Sequence, residues 1–185
     1  TNRPNAVLLV CVTSLLCLSI VPQVLQAASP ASEGSKSEAE LIEVLKSDAG
    51  LKEKHDACRL LTRIGTEKAV PVLASLLGDK KLSHMARYAL EPNPSPAVDQ
   101  ALFKALGEVK GLQRVGVIGS LGVRKYLPAT DALIKLLASE DNRIAQAAAR
   151  ALGSFGAIKA AEALEAALEK AKPENRLAVI EGLLR

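Results

Sequence analysis

Three side chains suited to acid–base chemistry, His84, Tyr88 and Glu91, stand at i, i+4 and i+7 in "SHMARYALEP". At that spacing an imidazole, a phenol and a carboxylate share one helix face. Beside a run of prolines they would form a small polar surface able to receive a ligand or to exchange a proton. The competing reading is structural. In it Tyr88 packs against the next helix pair, His84 hydrogen-bonds near the helix start and Glu91 is solvated. The structural reading is preferred, because helical faces bring such trios together by chance.

A second candidate is the pair His55 and Cys58, at i and i+3, which one helix points roughly the same way. A metal site needs three or four converging ligands. The chain has only two histidines, and neither has a His or Cys partner that completes a set. No metal and no cofactor are expected. No Ser/His/Asp order, glycine-rich phosphate loop or paired-carboxylate motif stands out either, so the expectation is no catalytic residue and no enzyme.

The elements that would position these residues follow from composition and punctuation. Hydrophobic residues make up 49% of the 185, aromatics only 2%, and Trp is absent. A core of Ala, Leu and other aliphatics is a helical core, since strands want more Val, Ile and aromatics. Around the first cluster, Leu90 ends a helix and Pro92, Pro94 and Pro96 forbid its continuation. Ser95 then starts the next helix as an N-cap with proline at the first helical position. Earlier, Ser37 with Glu40 ahead of "LIEVL" reads as a capping box that opens the folded region.

Self-similarity dominates from there. "ACRLLTRIGTEKAVPVLASLL", "ARYALEPNPSPAVDQALFKAL", "VGVIGSLGVRKYLPATDALIKLL" and "AAARALGSFGAIKAAEALEAAL" align so that Leu73, Leu102, Leu133 and Leu164 fall at separations of 29, 31 and 31. Leu77, Leu106, Leu137 and Leu168 repeat those separations. Two helical patterns per period of about 30 residues are the mark of an α-solenoid. Gly65, Gly122 and Gly156 are expected to close the first helix of three units in the left-handed conformation, with Pro94 in that slot in the other. The third unit carries a longer basic turn around Arg124, Lys125 and Tyr126.

"AVPVLASLL" and "AAARALGSFG" resemble HEAT repeats of the short bacterial type, similar to those of the phycobilisome lyase family, over roughly 41–185. "LSHMARYALEPNPSPAVDQAL" resembles a segment of exported HEAT-repeat proteins. The resemblance implies an all-α, right-handed solenoid of about four helical hairpins, acting as a protein-binding scaffold. It also implies that the second helix of each unit lines the concave side. Lys68, Asp99, Lys104, Asp131, Lys135, Lys159 and Glu162 would lie on or near that surface as a mixed-sign set for a protein or peptide, or else as a solvated face. Phe103 reads either as an inter-repeat contact or as an exposed anchor.

The N-terminus has a different character. Arg3, the uncharged run from Ala6 to Val21, Pro22 and small residues up to Ala27 have the layout of a secretory signal, or of a membrane anchor if uncleaved. The expected organisation is a signal or anchor over 1–27, a flexible linker over 28–37, and a repeat domain over 38–185 cut short at its C-terminus. Cys11 and Cys17 would leave with the signal, and Cys58 then reads as a buried small hydrophobe. The expected location is periplasmic, secreted or anchored at the inner membrane. A net charge of +4, spread along the chain, disfavours nucleic acid as a partner. The expectation is thus an exported, non-catalytic scaffold. The alternative is a docking or regulatory module of a larger lyase-like or redox enzyme.

Overall fold

The structure, a computed structural model, describes residues 36–185, and among these every regular element is a helix. The expected signal or anchor over 1–27 and most of the linker lie outside the described residues. Ten helices follow one another: α1 (Glu38–Lys46), α2 (Leu51–Ile64), α3 (Val70–Ser75), α4 (Ser83–Leu90), α5 (Pro96–Glu108), α6 (Gly111–Val123), α7 (Thr130–Leu136), α8 (Asn142–Phe155), α9 (Ile158–Lys170) and α10 (Pro173–Leu183). Short 3-10 turns at Glu67–Ala69 and Leu127–Ala129 lead into α3 and α7. The four sequence units are α2/α3, α4/α5, α6/α7 and α8/α9.

Local punctuation works as the residue types dictate. The Ser37 N–H donates to Glu40 Oε2 at 2.7 Å while the Glu40 N–H donates to Ser37 Oγ at 3.3 Å, a complete capping box. Ser95 accepts from the Ala97 N–H at 3.2 Å and Asp141 from the Arg143 N–H at 3.0 Å. Asp79 accepts from the N–H groups of Leu82 at 2.8 Å and Lys81 at 2.7 Å, which holds its carboxyl below the usual range.

The helices form two layers. Even-numbered helices stack on one another, α2 on α4, α4 on α6, α6 on α8 and α8 on α10, and odd-numbered helices form the second layer. Between the layers lies the core, where the periodic leucines 73, 102, 133 and 164 are all essentially inaccessible. Leu77 and Leu106 are also buried, while Leu137 and Leu168 are only partly so.

Glycines act differently from the expectation at two of three positions. Only Gly156 is left-handed, with φ 62°. Gly65 is extended, and a Cβ there would stand 2.5 Å from the Leu61 carbonyl oxygen. Gly122 lies inside α6, where a Cβ would come within 3.0 Å of Ala151 Cα in α8. The residue one period of 31 before Gly156 is Lys125, and it is Lys125 that takes the left-handed turn, with φ 51°. Gly122 instead belongs to a series of close helix crossings. At the next crossing a Cβ on Gly153 would lie 2.5 Å from Gly182 Cα.

These contacts generate a contrast in stability. Gly153→Ala should lower stability by roughly 1–3 kcal/mol through overpacking of α8 on α10. Gly119→Ala, at an exposed α6 position where a Cβ meets nothing within 4 Å, should raise it by roughly 0.5–1 kcal/mol. Urea titrations check both, and equal midpoints for the two variants would refute the close-packing role of Gly153.

Candidate interaction surfaces

The edge that carries the turns between even and odd helices is held by polar side chains reaching from one repeat to the one before. Glu38 accepts from the Thr66 N–H at 2.6 Å and from its hydroxyl at 2.9 Å. The buried Asn93 amide donates to the carbonyls of Gly65 at 3.2 Å and Thr66 at 3.1 Å, and its Oδ1 accepts from the Ser95 N–H at 2.9 Å. One period on, Arg124 donates to the carbonyls of Glu91 at 2.9 Å, Asn93 at 2.6 Å and Ser95 at 3.4 Å. Its fork also closes on Asp99 through both carboxylate oxygens. The Arg124 side chain is only 11% exposed, so the longer turn of the third unit is not a free basic surface. The guanidinium satisfies the carbonyls that a three-proline corner leaves without helical partners.

The proline corner is therefore a stacked turn, and the chemistry suggested for His84, Tyr88 and Glu91 dissolves in it. Glu91 is half-buried and accepts from the Ser120 hydroxyl at 2.6 Å, with Arg87 at 3.9 Å. Arg87 lies over α6, donating to the Gly116 carbonyl at 3.3 Å, and its Nη2 is 3.4 Å from His84 Nδ1. Burial lowers the Arg87 pKa, and the Glu91 carboxylate opposes that shift. Tyr88 is 51% exposed. The structural reading of this trio needs correction on two points: Tyr88 does not bury itself against the next pair, and Glu91 is not free in solvent. The intervening Arg87 claims the space beside α6, which the sequence pattern alone did not flag.

His55 and Cys58 do not converge as ligands. His55 Nε2 sits 3.2 Å from the Lys81 carbonyl oxygen, whereas Cys58 is fully buried in the core and its thiol is pushed up to about 11 by burial. Among the described residues no group of three or more His, Cys, Asp and Glu is placed to hold a metal ion.

The charged set of the second helices is scattered rather than assembled. Lys68, Lys135 and Glu162 are exposed. Asp99 is taken by Arg124, Asp131 pairs with Lys159 at 2.5 Å, and Lys104 lies 3.8 Å from Glu108. Phe103, 38% exposed, meets Tyr126 of the following unit with ring centroids 5.8 Å apart and a tilt of 57°. It is the inter-repeat contact that was one of its two readings.

A surface that the sequence reading did not single out lies on the solvent side of the even layer. There α6 exposes Leu112, Gly119 and Val123 at helical spacing, with Val115 partly buried between them and the Arg87 side chain lying over Gly116. Leu112 and Val123 are each 66% exposed. Tyr88 is exposed on the neighbouring α4, and on α8 the two exposed arginines are already paired, Arg143 with Asp141 at 2.8 Å and Arg150 with Glu181 of α10 at 2.9 Å. The spacing was readable in "GLQRVGVIGSLGV", but those residues read equally well as core.

Two predictions test these assignments. Arg124→Ala should cost roughly 2–4 kcal/mol by stranding Asp99 and the carbonyls of Glu91 and Asn93, and Arg124→Lys should recover only part because a lysine cannot fork. Urea unfolding reads both, and full rescue by lysine would reduce Arg124 to a point charge. For Cys58, a folded pKa raised from 9.0 to about 11 means that the buried neutral thiol supports the fold below pH 9. That support fades between pH 9 and 11. The Tm advantage of wild type over Cys58→Ala should shrink across this window, and a constant advantage would contradict it.

Comparison with known proteins agrees with this architecture. The family model described as HEAT repeats matches residues 87–184, more than half of the chain. No curated protein matches the chain. HEAT repeats commonly act as protein-interaction scaffolds and are generally non-catalytic. With paired helices in two layers at a period of about 30 residues and that match across its central and C-terminal units, the chain belongs to the HEAT-repeat family.

Proposed function

We propose that this protein is a non-catalytic scaffold that binds a protein or peptide on the concave face of its solenoid, and that the face is formed by the even helices. The observation that carries the reading is the exposed apolar surface of α6, where Leu112 and Val123 stand in solvent on either side of the bare Gly119. Exposed apolar surface rimmed by polar groups marks an interaction site. At Gly119 there is no side chain, so a partner segment can approach the α6 backbone. The fitting partner carries apolar anchors for Leu112 and Val123. The close α8–α10 crossing at Gly153, against the open gap between α7 and α9 in the odd layer, supports taking the even helices as the inside of the bend. On that reading Lys68, Lys104, Lys135 and Glu162 lie on the outside.

The reading includes export. The uncharged run from Ala6 to Val21 with its basic flank supports a secretory signal, or an anchor at the inner membrane if uncleaved. Nucleic acid is not part of the proposed partnership.

The test is a pull-down from envelope extract on the mature chain, with mass spectrometry as readout. One stoichiometric partner should be lost with Gly119→Arg and kept with the Lys104→Glu/Lys135→Glu double variant. The opposite pattern would move the binding surface to the odd helices. Peptide mapping of the exported protein should place its first residue at Ala28.

A further inference from the structure

The odd layer opens two gaps between successive repeats, and they differ in chemistry. The first, between α3/α4 and α5/α6, encloses about 430 Å³ and is lined in part by Ser75, Lys80, Glu108, Lys110 and Gln113. The second, between α7/α8 and α9/α10, encloses about 450 Å³, within the range of small-molecule sites. Its wall is mostly aliphatic, including Leu137, Ala163, Ala167 and Val179, with Ser139 and Asn175 as neutral polar members, and the charged side chains among its lining residues are Lys170 and Lys172. Repeat geometry alone does not explain the difference, because the equivalent gap two units earlier has polar or charged residues for half of its lining, Glu108 among them.

Ala163, Ala166 and Ala167 of α9 line the pocket, and Ala166 stands where α5 carries Lys104 two repeats earlier. Leu137, which also lines it, is only partly buried. The lysines are available to a ligand. Lys170 is exposed, and Lys172 is tethered only to Glu140 at 3.3 Å, an almost fully exposed carboxylate whose hold is weak in water. Neither ammonium faces a carboxylate among the residues that line the pocket.

We propose that this pocket binds a single-chain aliphatic carboxylate, with the alkyl chain along Leu137, Ala163, Ala167 and Val179 and the carboxylate at Lys170 and Lys172. Charge selects the head group, since two cations at an apolar mouth favour an anion over a neutral or cationic amphiphile. The dry wall selects the tail. This site is separate from the even-helix strip, and it stands whether or not the scaffold reading does.

Calorimetric titration of the full chain with octanoate, decanoate and dodecanoate, each below its micelle concentration, tests the assignment. Affinity should rise about fourfold per added methylene until the pocket is full. Decanol and decylammonium should bind at least tenfold more weakly than decanoate, and Lys170→Gln/Lys172→Gln should remove that preference while leaving the chain-length trend. Ala167→Leu should abolish binding, with Ala163→Leu as a second filling variant should the first unfold. Gly119→Arg should leave binding unchanged. No heat with any carboxylate, equal binding of decylammonium, or binding that survives both filled variants would overturn the proposal. So would a dimer in sedimentation that the carboxylates fail to dissociate and Ala167→Leu abolishes, which would assign the pocket to a second copy.

Discussion

How closely two helix backbones of successive repeats can approach is the constraint on which the rest of this structure depends. In the even layer the approach is limited by single atoms. α6 meets α8 at Gly122 against Ala151, and α8 meets α10 at Gly153 against Gly182, with no room for a methyl group at either. A solenoid has no long-range contacts to compensate for a poor joint, because each repeat is stabilised only by its neighbours. The crossings therefore decide whether the stack forms at all.

Close spacing on one side has a geometric consequence on the other. Where α8 and α10 nearly touch in the even layer, the odd layer stands apart as the gap between α7 and α9. The two gaps of the odd layer are alike in volume, about 430 and 450 Å³, and side-chain chemistry decides what each becomes. Polar and charged residues make up half of the earlier lining, while aliphatic residues, three of them alanines of α9, dominate the later one. The absence of a side chain at Gly119 on the solvent side of α6 leaves a place where a partner backbone can lie close.

The turn edge carries the electrostatic part of the design. Prolines 92, 94 and 96 forbid helical hydrogen bonds there, and Arg124 supplies donors to the carbonyls of Glu91 and Asn93, as Asn93 does for those of Gly65 and Thr66 in the turn before. Burying a guanidinium is favourable only when its hydrogen bonds and a counter-charge are complete. Asp99 completes them, which is why a residue expected to face a partner is instead part of the turn. Glu91, drawn to Ser120, follows the same logic, and the acid–base trio comes apart for that reason.

The sequence by itself determined what depends on short range and periodicity. Leucines at a 29- and 31-residue spacing had to face a common core, Ser37 with Glu40 had to cap a helix, and Ser95 before Pro96 had to start one. Each rests on backbone geometry within a few residues or on a repeat visible in one line of text. Family membership was legible on the same grounds. Tertiary structure alone decided which side chains meet across repeats: Gly122 as a helix crossing and not a turn, Lys125 in the left-handed slot, Arg124 inside the proline corner, Tyr88 in solvent, an empty pocket beside α9. These depend on the distance between neighbouring helices, which is set by packing of residues about 30 positions apart. No local propensity encodes that distance.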